Sequence, residues 1–302
     1  NETEYEELKE LVEIQRSLGD DEIELLDKHQ TLDVMPNLNP DLIFGSRLRQ
    51  SDGNLNPFFL ARAQALEAQK LGATVHTHTK VEEVIVRNGR VEGVRTPEGI
   101  IGADYVVNAT NGWAPQLTRD IEVIPVRELA MVTERMPESP PQPFEMLCNG
   151  DFAYGTTQTA SGNYSLGGPG PARPPDYDYF DETIYADEVL RVMSYISELF
   201  PSLAQVSVIR SWVGTMAFTP DGMPSIGPMP GIEGLYLAVG YPNGMSWAAV
   251  SGRLIAECIC EGKSRLPIDR MNPGRFIGKP KVKWPQPYDL TVCHDFLTSE
   301  SN

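Results

Sequence analysis

Between Trp212 and Cys260 the chain gathers residue types that let backbone groups do chemistry. Trp212-Val213-Gly214 leads into Thr219-Pro220-Asp221-Gly222-Met223-Pro224-Ser225-Ile226-Gly227-Pro228. Then come an apolar run from Gly234 to Gly240, the turn Tyr241-Pro242-Asn243-Gly244, and helical periodicity from Met245 to Cys260. A buried strand feeding a glycine-rich turn and then a helix points unpaired N–H groups and a positive dipole end at an electron-rich ligand. A second small-residue turn follows an apolar strand in Val106-Val107-Asn108-Ala109-Thr110-Asn111-Gly112-Trp113. Small residues there let the backbone approach a ligand closely. Asn111 tolerates the left-handed conformation better than most residues, so the turn survives its presence.

Other chemistries find little support. The sequence holds no convincing Ser-His-Asp arrangement, no P-loop, no H-E-x-x-H and no G-x-S-x-G nucleophile elbow. His76 and His78 fall at alternate positions of an expected strand and share a face, but no third ligand accompanies them. Cys258 and Cys260 lie two apart on a helix and point in different directions. Together with Cys148 and Cys293 they are too few and too scattered for a disulfide framework, so reduced thiols, no metal and a cytoplasmic location are expected. The net charge of −17 argues against nucleic acid, which demands clustered Lys and Arg. No apolar run approaches the roughly 20 residues of a membrane span. The acidic stretch Asn1–Glu10 lacks the basic start and apolar centre of a signal peptide.

The elements that must position these turns alternate between two grammars. Helices are expected over Glu2–Leu18 and Asp20–Val34, then a strand over Ile43–Arg49. Asn56 caps and Pro57 opens a helix running from Phe58 to Leu71 and ending at Gly72. Strands follow over Ala73–Thr79, Val81–Arg87 and Arg90–Thr96, the last two joined by the hairpin signal Asn88-Gly89. Ala103–Ala109 reads as a strand buried on both faces. From Pro125 the strands become antiparallel in character (Val126–Glu134, Phe152–Thr157, Asn163–Gly168, Val206–Trp212), with one amphipathic helix over Ile184–Phe200 stopped by Pro201. At 302 residues the chain can hold two domains. The pattern predicts one assembled from non-contiguous pieces, with another inserted.

Three passages, in order from Asn56 to Met245, resemble the D-amino acid oxidase-like FAD-dependent oxidoreductases, the class holding glycine oxidase, the sarcosine oxidase β-subunit and dimethylglycine dehydrogenase. The resemblance implies a mixed α/β fold: a discontinuous Rossmann-like FAD-binding domain over 58–125 and 213–275, an inserted antiparallel-sheet substrate domain over 1–57 and 126–212, and an irregular tail over 276–302. It implies that Val81 offers backbone to the adenine end of FAD. Ala109, Thr110, Gly112 and Trp113 would pass the diphosphate and flavin edge. Asp221 would belong to the segment crossing beneath the flavin, and Gly214, in the preceding Trp-x-Gly motif, would also be cofactor-binding. Gly240, Asn243, Gly244 and Met245 would cap its pyrimidine end, where amides stabilise the charge of the reduced ring.

The family's opening Gly-x-Gly-x-x-Gly turn is not in this sequence. The expectation is that residue 1 enters after that motif and the amino-terminal portion lies outside the given chain. A naturally shortened protein unable to bind FAD alone is the rival. Amino-acid-oxidising relatives often carry an Arg clamp where this chain has Met216, which excludes a carboxylate clamp there. Arg127, Arg210 and Arg49 are the other basic candidates, each favoured as a structural ion pair. Tyr241, Tyr154 and Met216 are expected to line the substrate pocket, with Trp247 and Phe218 nearby. The implied activity is oxidation of the C–N bond of a small amine or amino acid to an imine, with hydride passing to flavin and electrons to O2 or a protein acceptor. A hetero-oligomer is expected as a partner arrangement, and a non-catalytic scaffold subunit is the alternative function.

Overall fold

Caps and glycine stops fix the ends of several helices. The computed structural model describes residues 1–137, 146–148, 151–153, 157–169, 179–242 and 244–279. In chain order the elements begin α1 (Glu2–Ser17), β1 (Ile23–Asp27), α2 (Lys28–Val34), β2 (Gly45–Arg49) and α3 (Pro57–Lys70). Next come β3 (Glu83–Arg87), β4 (Arg90–Thr96), β5 (Gly99–Gly102), β6 (Val106–Asn108), α4 (Ala114–Leu117), β7 (Ile124–Arg135), β8 (Met146–Cys148) and β9 (Asp151–Ala153). The rest are β10 (Thr157–Gln158), β11 (Asn163–Pro169), α5 (Ala186–Leu199), β12 (Val208–Phe218), β13 (Ser225–Pro228), β14 (Leu235–Val239) and α6 (Gly244–Glu261). The chain divides into two compact units: Asn1–Leu55 with Arg127–Gly214, and Asn56–Val126 with the described residues from Thr215 onward.

In the first unit α1 begins with a capping box, the Asn1 side chain accepting from the Glu4 amide. The expected second helix is corrected here. Ile23–Asp27 is a strand, paired antiparallel with β2 in the register Ile23↔Arg49 to Asp27↔Gly45, and only Lys28–Val34 is helical. Pairing and the burial of Ile23 and Leu26 override local helix propensity, and Asp27 then caps α2. The main sheet runs β10-β11-β7-β12. Against it α5 buries Val192, Ile196 and Leu199, packed with Leu129, Met131 and Leu166. Each such side chain contributes about 1.5–3 kcal/mol relative to exposure.

In the second unit Asn88 (φ 52°) and Gly89 (φ 76°) make the β3–β4 hairpin turn, as a type I′ turn requires. A separate sheet runs β13-β14-β6, with β14 antiparallel to β13 and parallel to β6. Its core holds Leu235, Leu237 and Val239 with Ala217, Ala114 and Val91. The apolar side of α6 packs Leu254 and Ile255 on Ile226. α3 starts at its Asn56 cap and Pro57, and it ends before Gly72 (φ 96°). No α3 residue is buried. The strand expected over Ala73–Thr79 is not formed, because the segment finds no ladder among the described strands. With no strand at 73–79, the exposed His76 and His78 share no strand face. Three other expected strands also shift: one begins at Glu83, Ala103–Ala109 narrows to Val106–Asn108, and Val206–Trp212 gives way to β12, which reaches Phe218.

Candidate functional site

Because β6 and β14 are parallel neighbours, their carboxyl ends lie side by side. In open α/β sheets that edge is where ligands bind. The turn 109–113 leaves β6 there, and Gly240 to Pro242 leave β14 ahead of α6, which begins at Gly244. One side chain joins them. Asn111, at φ 46°, accepts from the amides of Gly240 and Tyr241, each at 2.9 Å, and donates from Nδ2 to the Tyr241 carbonyl at 3.3 Å. Asn108, 2% exposed, holds the base of the same turn. Its Nδ2 donates to the Ala114 carbonyl and the Thr118 hydroxyl, and its Oδ1 accepts from the amide and hydroxyl of Thr110.

The segment 219–225 closes on this edge through register. Ser225 pairs with Val239, so the preceding loop meets the β14 exit. Gly240 is at φ 79°, and a Cβ there would sit 2.6 Å from the Thr219 methyl. Only glycine meets both demands. The Thr219 hydroxyl shares its single proton between Asp221 Oδ1 (2.9 Å) and the Met223 carbonyl (2.5 Å). Arg275 completes the bracing with a bidentate bond to Asp221 (2.8 and 2.9 Å) and further donation to the Ser225 hydroxyl and Met223 carbonyl. A fork of this kind holds direction as well as distance.

What remains open is the start of α6. Its first-turn amides have no partner within the helix, and Gly244, Met245 and Ser246 are exposed. A Cβ at Gly244 would meet only the Tyr241 Cβ, at 3.9 Å. Exposed helix-start amides of this kind suit the electron-rich end of a flavin. Beside the β6 turn, a Cβ on buried Gly112 would come within 3.1 Å of the Thr215 methyl and 3.6 Å of the Met216 carbonyl. Half-buried Met216 thus borders the same edge.

The sequence-derived residues divide accordingly. Ala109, Thr110, Gly112, Trp113, Met216, Asp221, Gly240, Tyr241, Gly244 and Met245 lie on or beside this edge. Asp221 spends its carboxylate on Arg275 and the Met223 amide, and Gly240 spends its amide on Asn111. Their contribution is therefore shape. Tyr241 packs toward Trp247 (6.4 Å between ring centroids) and Ile226. Its hydroxyl is buried without a hydrogen-bond partner, as is that of Ser251. Burial pushes the Tyr241 phenol up, while the Ser251 hydroxyl acts the other way without reaching hydrogen-bond geometry. Val81 is half-buried just before β3, outside the ladder that opens with Glu82 donating to Arg95. Gly214 is exposed on β12, with nothing within 4 Å of a Cβ built there. Tyr154 and Asn243 lie outside the described residues.

The basic candidates are engaged in the first unit. Arg127 binds Glu188 and the carbonyls of Thr183 and Asp181. Arg49 faces Asp20 and Glu22, each at 3.6 Å, and Arg210 lies over the Trp212 ring at 5.5 Å. Sequence reasoning missed Arg275, Asn108 and the bridging role of Asn111. The Asn-x-x-Asn spacing after β6 was the one local signal for the asparagines.

A family model described as FAD dependent oxidoreductase matches residues 1–258. The chain belongs to this family. The hydrogen cyanide synthase subunit HcnC of Pseudomonas protegens is 30% identical over 246 residues, covering 78% of this chain and 56% of the relative. Human mitochondrial dimethylglycine dehydrogenase is 24% identical over 275 residues, covering 83% of this chain and 31% of the relative. The chain thus spans about half the length of the first and a third of the second. Among solved structures, the L-proline dehydrogenase of P. horikoshii superposes with a TM-score of 0.84 at 29% identity, covering 91% of this chain and 74% of that one. These findings bear out the resemblance and the mixed α/β flavoenzyme fold. Among the described residues no helix is long and apolar enough to cross a membrane, and no His/Cys/Asp/Glu cluster is suited to a metal.

Proposed function

We propose that this chain takes part in the FAD-dependent oxidation of a C–N bond, turning a small amine or amino acid into an imine. The observation that carries this reading is the open start of α6, held at the carboxyl edge of two parallel strands by Asn111 and Thr219. When bound, FAD supplies the acceptor for the hydride that leaves the carbon next to nitrogen. The amides of Gly244 and Met245 are assigned to its electron-rich end, where they stabilise negative charge without reorganising. The backbone from Ala109 to Trp113 is assigned to the diphosphate and flavin edge, and Val81 to the adenine. The second unit is then the cofactor-holding body and the first the substrate-holding one.

On the substrate side, Met216 offers packing and no charge. That favours the N-alkyl part of a secondary or tertiary amine beside it, with any substrate carboxylate held elsewhere. Relatives named as a dehydrogenase and as a synthase subunit support electron transfer to a protein acceptor or O2 within a hetero-oligomer. The test is a visible absorption spectrum of the full-length protein, followed by anaerobic addition of glycine, sarcosine, dimethylglycine and L-proline. A flavin spectrum bleached by at least one of them supports the proposal. A colourless intact protein, or one that none of these or related amines bleach, overturns it.

A further inference from the structure

Three other features of the molecule carry less. The cavity of about 490 Å³ near the α6 carboxyl end, lined by Ile226, Cys258, Lys263 and Arg265 among others, holds nothing that identifies an occupant. The bare face of α3 has nothing on it to say what covers it. The Arg127–Glu188 pair is closed on itself.

Asn111 is different, because it holds a costly backbone conformation for the sake of its side chain. At φ 46° a glycine would be cheaper, yet a glycine could not reach Gly240 and Tyr241. The carboxamide suits what it meets: one oxygen receives two amides, and one NH2 donates to a carbonyl. Aspartate could reproduce the first half of that pattern but not the second. The Gly240 and Tyr241 amides are thereby held by Asn111, and the Thr219 methyl occupies the space a side chain on Gly240 would need. The chain therefore leaves β14 with Gly240 and Tyr241 held in place, shortly before α6 begins at Gly244.

We propose that Asn111 is a positioning residue that aims the amino end of α6 at the reduced flavin, so that it tunes cofactor affinity and potential without touching the substrate. The inference rests on the flavin reading above and deepens it. A residue that merely supported the fold would alter unfolding but leave the bound flavin's potential alone.

The test compares full-length wild type with Asn111→Gly and Asn111→Asp. Amide hydrogen exchange across residues 235–246 is followed without flavin, and FAD affinity and two-electron midpoint potential are measured with it. Asn111→Gly removes backbone strain and clamp together. It is expected to speed exchange at Gly240 and Tyr241 at least tenfold and to weaken FAD binding about tenfold. Reduced flavin is expected to lose about a further tenfold relative to oxidised, a fall of about 30 mV. Asn111→Asp should keep the amides protected, which also covers the case of a glycine variant that fails to fold. Unchanged exchange in Asn111→Gly overturns the clamp. Faster exchange with wild-type affinity and potential overturns the positioning role. Amide protection that is present in wild type and lost in Asn111→Gly, in a protein that binds no FAD, separates the two claims: the clamp survives, and the flavin reading and the positioning role fall together.

Discussion

In the first unit Arg127 is enclosed, its side chain 4% exposed against a 3% exposed Glu188, and its remaining donors end on the carbonyls of Asp181 and Thr183. In the second unit Arg275 is also nearly covered, at 12%, but it grips a loop, and that loop grips the turn before an open helix end. Similar side chains thus have different consequences. The first network closes and holds a helix to its neighbours; the second holds the backbone of the loop that meets the β14 exit. Charge in both regions is used for shape. On the proposed function the chemistry is left to main-chain donors and apolar surface.

The sharpest way to break this comparison is to open the closed network. Arg127→Met strands the buried Glu188 carboxylate and is expected to lower the unfolding free energy by about 3–5 kcal/mol. The double variant Arg127→Met/Glu188→Leu should recover most of that loss, read from urea midpoints. Failure to recover would mean that the carbonyl contacts dominate. Arg275→Met should cost about 1.5–3 kcal/mol through the lost charged hydrogen bonds and should weaken flavin binding as well. Loss of stability with unaltered flavin binding would place Arg275 with Arg127 as purely structural. Gly240→Ala puts a methyl against Thr219 at a positive φ, and about 1–3 kcal/mol is expected together with loss of bound flavin. The pair Gly240→Ala/Thr219→Ser should recover part of it.

The smallest effect concerns the far end of α6. The Glu257 carboxylate accepts from the Arg265 amide and the Arg253 side chain, both at 2.9 Å, and these bonds hold its carboxyl below the usual range. A depressed folded pKa contributes stability above the unfolded value of about 4.3, and that stability is lost as pH falls through the lower, folded value. Glu257→Gln should therefore be the less stable protein near neutrality and converge with wild type in acid. Thermal scans from pH 7 to pH 2 check the crossing. A constant difference across that range would show that the contribution is not ionic.

What the sequence disclosed about the fold was mostly local. Asn56-Pro57 and Gly72 bound α3, Asn88-Gly89 turned the hairpin, and Pro201 stopped α5, because each acts through its own backbone preference. Ile23–Asp27 was misread because its state is decided by β2, some twenty residues away. Ala73–Thr79 was misread for the converse reason, since strand composition forms no strand without a neighbour. In the candidate site the small-residue turns were legible as turns. The bonds that orient them span 54 residues for Arg275–Asp221 and 130 for Asn111–Tyr241, and no periodicity encodes such pairs.

Amide hydrogen exchange of the full-length protein with and without FAD tests the central claim most directly. The account predicts that FAD slows exchange at Gly244, Met245 and Ser246 and across the turn 110–113, while α5 in the first unit is unchanged. Flavin binding that leaves the start of α6 exchanging at its free rate would contradict it.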